Sequence, residues 1–364
     1  MEYLNELASS NAPLVLAIGG LAIGFFFGAI ISRTNYCAMG ALADIHNFGD
    51  TRRLRAWVLA AAVALAGTQL LAAAGIVDTG KSMYAGASLN WLGHIVGGLI
   101  FGVGMVFAGG CPSRNLARAG GGDLRALVTL IILGLFAYMA IGGILAPART
   151  SIESLATLPL AAPTQRLGDL LATRLSFAPG VGAAIATTAL LIAALLYVSA
   201  GATFRRSPVH ILSGLGVGLC IVAGWALTGL AYDDMASKPL APISLTFVRP
   251  TGDSLEWLQR YTASPLPGFG VASVFGALLG AFAVSFSRGH FRLSTFSDVG
   301  DTLRHLGGAI LMGLGGVMAM GCTVGQSLTG VSTLSIGSFI ATAAIVVGGR
   351  TGLIALERRI LATA

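Results

Sequence analysis

Long apolar stretches alternate with short polar ones along the whole chain. A membrane-spanning helix needs about 20 predominantly apolar residues. Nine stretches approach that length: 14–31, 56–77, 92–110, 125–146, 179–200, 209–231, 268–287, 305–321 and 335–356. The polar runs between them are of two kinds. Arginine is concentrated in RRLR (52–55), Arg114/Arg118/Arg125, FRR (204–206), SRGHFR (287–292) and ERR (357–359), whereas 78–91, 147–178 and 232–267 are longer and mixed. Basic residues collect in cytoplasmic loops. Nine spans with the N-terminus outside and the C-terminus in the cytoplasm satisfy every loop. Within the longer loops, TQRLGDLLATRL (164–175) and TGDSLEWLQRYT (251–262) are amphipathic and predict surface helices, not separate domains.

Composition agrees with this picture. The chain is 55% hydrophobic and 10% charged, against roughly 25% charged in soluble domains. The fold class is an all-α integral membrane protein, and its surroundings are membrane lipid. The net charge of +7 comes almost wholly from arginine, the lysines being Lys81 and Lys238. No basic stripe with interleaved aromatics appears, which sets nucleic acid aside as a partner. The opening residues, MEYLNELASSN, lack the basic region of a signal peptide, so the first apolar run reads as a retained span. The four cysteines, Cys37, Cys111, Cys220 and Cys322, form no CxxC or CxxCH. The spacing of a zinc, haem or thioredoxin-type site is therefore missing, and no metal, cofactor or disulfide framework is expected.

The chain also repeats. At an offset of 211 residues, LGHIVGGLIFGVGMVFAGGC (92–111) lies over LRHLGGAILMGLGGVMAMGC (303–322), pairing His94 with His305 and Cys111 with Cys322. Gly97, Gly102 and Gly104 fall on Gly308, Gly313 and Gly315. A weaker match sets 29–44 over 216–231, with Cys37 near Trp225. By the arginine pattern the paired spans run in opposite directions, so the halves are inverted. One transport domain (1–364) then divides into a first repeat (14–146), a linking helix (179–200) and a second repeat (209–356). Inverted repeats place the substrate path of a transporter at their interface near the midplane.

Both Gly-Cys sites end an apolar run and pass into polar, glycine-rich sequence: CPSRNLARAG and CTVGQSLTG. Non-helical backbone at membrane depth is tolerated where protein buries it or water reaches it. Two re-entrant loops from opposite faces would meet near the centre, and RTNYCAMGALAD (33–44) reads as a third. Broken-helix N-termini attract anions, each by roughly 0.3–1 kcal/mol. Thiols are polarizable weak donors and acceptors suited to soft, sulfur-bearing species. Candidate substrate-binding residues are Cys37, Cys111 and Cys322. Gly110 and Gly321 allow close backbone approach. Asn115 and Gln326 hold oxyanion oxygens or, equally, satisfy loop backbone. Cys220 reads as packing, His94 and His305 as interfacial hydrogen-bonding groups, and Asp44 as an anchor for its turn.

SRTNYCAMGALAD (32–44), GGCPSRNLARAG (109–120) and GCTVGQSLTG (321–330), in that order, resemble the YeeE/YedE family of membrane proteins with a sulfur transport domain. The resemblance covers most of the chain. It implies an hourglass-like bacterial inner-membrane importer of thiosulfate, built from opposed re-entrant loops. It further implies that Cys37, Cys111 and Cys322 line the path and relay thiosulfate through S–H···S hydrogen bonds, and that a small cytoplasmic sulfurtransferase is a separate partner. The cargo stays open between thiosulfate and a selenium or other sulfur species. A membrane sulfurtransferase forming a persulfide on Cys111 or Cys322 is the enzymatic alternative, and a non-transporting membrane subunit is another. No acidic pair within a span advertises ion coupling.

Overall fold

The computed structural model describes residues 11–176, 178–232 and 240–363. The acidic opening and Lys238 lie outside them. Long helices stand at all nine expected positions: α1 (Ala12–Thr34), α3 (Arg52–Ala73), α4 (Trp91–Phe107), α6 (Leu124–Ile141), α9 (Pro179–Ser199), α10 (Pro208–Leu230), α12 (Phe269–Ser287), α13 (Val299–Met318) and α14 (Ile336–Thr363). The short helices are α2 (Ala38–Phe48), α5 (Pro112–Gly120), α7 (Ala146–Ser154), α8 (Leu167–Leu175) and α11 (Arg249–Gln259). Strand β1 (Ser88–Asn90) pairs antiparallel with β2 (Thr157–Pro159). Among the described residues, eight helical stretches are long and apolar enough to cross a membrane. The expected nine become eight because α13 opens on Asp301, Arg304 and His305 and falls short.

Local chemistry sets the ends. Asn90, Asp123 and Asp298 accept N–H bonds at the starts of α4, α6 and α13, satisfying donors that an N-terminus leaves free. Proline opens α5, α9 and α10, where its missing N–H costs nothing. Apolar side chains such as Phe26, Leu196 and Phe286 are exposed, as expected of a surface that meets lipid instead of water.

The faces sort as the arginine pattern requires. His46 bonds Glu357, Arg55 bonds the Tyr197 carbonyl, and the Arg292 N–H donates to the Gly121 carbonyl. The arginine-rich segments therefore share one face. On the other, the Leu160 N–H donates to Ala87 and the Gln165 N–H to Gly86.

Packing between the halves is reciprocal. Helix α1 packs on α12 as α10 packs on α3, and α4 packs on α14 as α13 packs on α6. At the centre α4 crosses α13 antiparallel through glycines. Gly97 approaches the Gly315 carbonyl and Ala319 N, while Gly308 approaches Gly104 and Ala108 in the same way. A Cβ on Gly104 would lie 2.8 Å from the Gly308 carbonyl oxygen. Small residues let helix backbones come this close.

The second amphipathic piece forms helix α11, but the stretch leading into it is no surface loop. Residues 244–248 carry no regular element and are buried, with Leu245 and Phe247 fully so and Phe247 stacked on Phe27 at 5.1 Å. The element order also corrects the weak repeat match. Helices α2 and α11 are both 11 residues long, start 211 residues apart, and pack on α3 and α12 respectively. The residue in the place of Cys37 is therefore Val248, not Trp225, which lies within α10 bonded to Ser332 Oγ at 3.0 Å.

Candidate functional site

Each Gly-Cys sequence ends a long helix in the same turn. The Gly110 N–H bonds the Met105 carbonyl at 2.8 Å, and the Gly321 N–H bonds the Gly316 carbonyl at 2.8 Å. Left-handed backbone makes the turn: Gly109 has φ +69° and its counterpart Met320 has φ +58°. The chain then re-enters helix, and here the loop reading needs correction. CPSRNLARAG continues as α5, and a π-helical segment, Gly325–Gly330, follows Cys322. Polar sequence stays helical at depth because helical backbone satisfies its own donors and acceptors.

All three candidate cysteines sit at the N-terminal ends of these short elements. Cys37 caps α2, its sulfur accepting the Gly40 N–H at 3.4 Å. Cys111 immediately precedes Pro112 of α5, with Ser113 Oγ 3.2 Å from its sulfur. The Cys322 sulfur accepts the Gly325 N–H at 3.3 Å. Cys111 and Cys322 are fully buried and Cys37 nearly so, and all are free thiols. The Cys37 and Cys322 sulfurs each interact electrostatically with Cys111. Thiols from both halves thus meet in one interior region, on positive helix ends and away from lipid.

Cavities approach this region from two sides. One, about 260 Å³, is lined by Arg33, Asn35, Arg114, Arg118, Arg288 and His290 among others, with no carboxylate. The other, about 600 Å³, reaches Thr246, Met320 and Gly321. Asn35 and Arg114, two and three residues from Cys37 and Cys111, line the first, and Gly321, next to Cys322, lines the second.

The remaining candidates separate. Asn115 Nδ2 donates to the Gly110 carbonyl at 2.8 Å and Oδ1 receives Arg118 at 3.4 Å, so it is committed to the loop backbone. Gln326 Nε2 donates to the Ala319 carbonyl, while its Oε1 is buried without a partner. Gly110, at φ +148°, sits against the Arg114 side chain, and Gly321 against Gln326. Cys220 is buried on α10, and none of the three thiols acts on it. Asp44 pairs with Arg53 at 3.2 Å, as an anchor should. His305 Nδ1 bonds the Asp301 carbonyl at 2.9 Å, but both His94 nitrogens are buried without partners. Among the described residues, no cluster of His, Cys, Asp and Glu is fit to hold a metal.

Sequence reading missed the 244–248 segment and two hydroxyls beside the thiols, those of Tyr36 and Thr323. The last two adjoin Cys37 and Cys322 in sequence, and that adjacency was the available signal. Tyr84, which also reaches the site, stands in a loop with none.

A multi-pass helical protein with paired junctions, buried thiols and cavities lined by the residues beside them has the architecture of a membrane transporter. The chain matches the sulphur transport family over residues 33–351 and belongs to it. It is similar to the thiosulfate transporter TsuA of Spirochaeta thermophila, at 29% identity over 352 residues, 93% of this chain and 99% of that protein. It is also similar to TsuA of Escherichia coli K12, at 26% identity over 330 residues, 86% of this chain and 87% of that one. The probable transporter YedE of the same organism matches at 32% identity over 121 residues, 33% of this chain and 27% of YedE. The chain is a transporter, as its relatives are, and not an enzyme.

Proposed function

We propose that the protein imports thiosulfate, or a similar small sulfur-containing anion, into the cytoplasm of a bacterium through the inner membrane, by relay between the Cys322, Cys111 and Cys37 thiols. One observation carries the reading: three buried thiols, each at the start of a short helical element, have close sequence neighbours lining two cavities, Gly321 in one and Asn35 and Arg114 in the arginine-lined other. Helix N-termini attract the anion, and neutral sulfhydryls hold its soft sulfur weakly enough to release it. The arginine-rich segments share a face, and basic loops are cytoplasmic, so the arginine cavity is the inner mouth and the C-terminus is cytoplasmic. Reciprocal packing supports division into inverted repeats, 14–146 and 209–356, with 179–200 linking them. A sulfurtransferase partner would be a separate cytoplasmic protein meeting the inner mouth.

Uptake of radiolabelled thiosulfate into liposomes bearing the purified protein tests this, with sulfate and selenosulfate as competitors. Accumulation suppressed by unlabelled thiosulfate is expected. A folded protein that accumulates none overturns the thiosulfate reading, and stronger suppression by selenosulfate moves the cargo to selenium.

A further inference from the structure

A soft anion of the thiosulfate class has two ends: a terminal sulfur that a thiol can hold, and oxygens that carry much of the charge. The cysteines account for the first end. Asn115 is committed to backbone carbonyls, and Gln326 presents an acceptor, which an anion avoids. Three hydroxyls remain beside the thiols. Tyr36 is 5% exposed, Tyr84 2% and Thr323 1%, and none of their hydroxyl oxygens makes a well-formed hydrogen bond; the nearest polar groups are the Thr246 hydroxyl for Tyr84 and the Cys111 sulfur for Thr323. Each lies near a thiol. Tyr36 lies within electrostatic range of Cys111 and Cys37, Tyr84 within that of Cys322, and Thr323 beside the Cys111 sulfur. The elements that supply them differ: the turn after α1, the loop before β1, and the segment after Cys322. Other buried hydroxyls also lack partners, among them Thr68 and Thr129, but these three share the thiol region.

A buried hydroxyl without a partner is destabilising, so a hydroxyl retained at such a site calls for a ligand or ordered water. Tyrosine and threonine hydroxyls donate as well as accept. They carry no charge, so they bind an oxyanion without trapping it. We propose that Tyr84, Thr323 and Tyr36 are oxyanion-positioning residues that take the oxygens of the transported anion while the neighbouring thiols take its sulfur. This rests on the transport reading above and adds the specificity: an anion with both soft sulfur and oxygens is matched along the path, and one with soft sulfur alone is not.

Tyr36→Phe, Tyr84→Phe and Thr323→Val test the assignment, each keeping shape and removing the hydroxyl. Thiosulfate binding is read by ligand-induced thermal stabilisation, and uptake by KM and maximal rate. The apparent affinity for thiosulfate is expected to fall about tenfold per lost hydroxyl. Inhibition by thiocyanate, which has soft sulfur and no oxygens, should change less than twofold, roughly the scatter of such assays. The unliganded variants should melt no lower than wild type, since each has lost an unpaired polar group. Variants that keep the wild-type KM for thiosulfate, in a protein that does transport it, overturn the hydroxyl assignment alone. Equal losses for thiosulfate and thiocyanate overturn it too, as the hydroxyls would then be packing groups. A wild type that thiosulfate neither stabilises nor crosses overturns the transport reading, and this assignment with it.

Discussion

The two Gly-Cys junctions share a backbone and differ in chemistry. Their turn hydrogen bonds match at the 211-residue offset, down to the Asn115 N–H on the Cys111 carbonyl and the Gln326 N–H on the Cys322 carbonyl. The side chains then diverge. Arg114 lines the smaller cavity, whereas Gly325 stands in its place and leaves room for Thr246 and Tyr84. Arg118 bonds the Gly109 carbonyl and pairs with Asp123 at 2.7 Å, whereas Thr329 only bonds the Leu245 carbonyl. Cys37 has Val248 as its counterpart. One junction is thus cationic with two thiols, and the other is neutral with one thiol and several hydroxyls. The scaffold repeats, and the side chains it carries do not.

Removing a thiol tests this contrast most severely. Cys111→Ala and Cys322→Ala are each expected to abolish thiosulfate uptake in liposomes with the melting temperature kept within a few degrees. If only one of them does so, the path does not need both junctions.

Next in size is the glycine crossing. Gly97→Ala and Gly308→Ala occupy equivalent positions and push a methyl group against backbone in each case. Each should cost about 1–3 kcal/mol by overpacking, seen as similar drops in thermal stability in detergent. Unequal drops would mean that the likeness of the halves stops short of their core.

A smaller effect belongs to the cationic junction alone. Asp123 sits between α5 and α6 outside the spans. Burial raises the pKa of its carboxyl, but Arg125 and Arg118 outweigh burial and hold it below the usual carboxylate value. The sign follows from the depressed folded pKa. Its contribution to stability is complete above the unfolded value, near 3.9, and is lost as pH falls through the folded value. Acid melting curves should show Asp123→Asn less stable than wild type at neutral pH, with the gap closing below about pH 4. A gap that persists in acid removes the ion pair as its cause.

Cys220→Ala should be smallest in effect. The side chain is buried on α10 with no thiol acting on it, so uptake should stay near wild type and stability should fall by no more than about 1 kcal/mol. An uptake loss as large as for Cys111→Ala would mean that packing had been mistaken for function elsewhere too.

The long helices were legible because lipid demands long apolar runs, and the position of all five arginine clusters on one face was legible from charge. The Gly-Cys junctions were legible because they repeat with their histidines. Three features were hidden for physical reasons. Residues 244–248 are too short and too close to Pro242 to look like interior chain, yet they are held there by Thr329 and Ser244 hydroxyls bonding across to backbone. The pairing of Cys37 with Trp225 came from sliding one glycine-rich apolar stretch along another, where many registers fit. Tyr84 joins the site only through the tertiary fold, from a loop whose composition says nothing about thiols.

The α4–α13 crossing has a mechanical consequence. Backbone lies on backbone at four glycines, so no layer of side chains is present there to repack as the halves tilt. Such a contact behaves as a rivet, and rocking about it would have to tear close-packed surfaces apart. On the proposed relay, passage is left to the tips, where Tyr, Thr and Cys side chains need only change rotamer. Turnover should accordingly feel the viscosity and thickness of the bilayer very little.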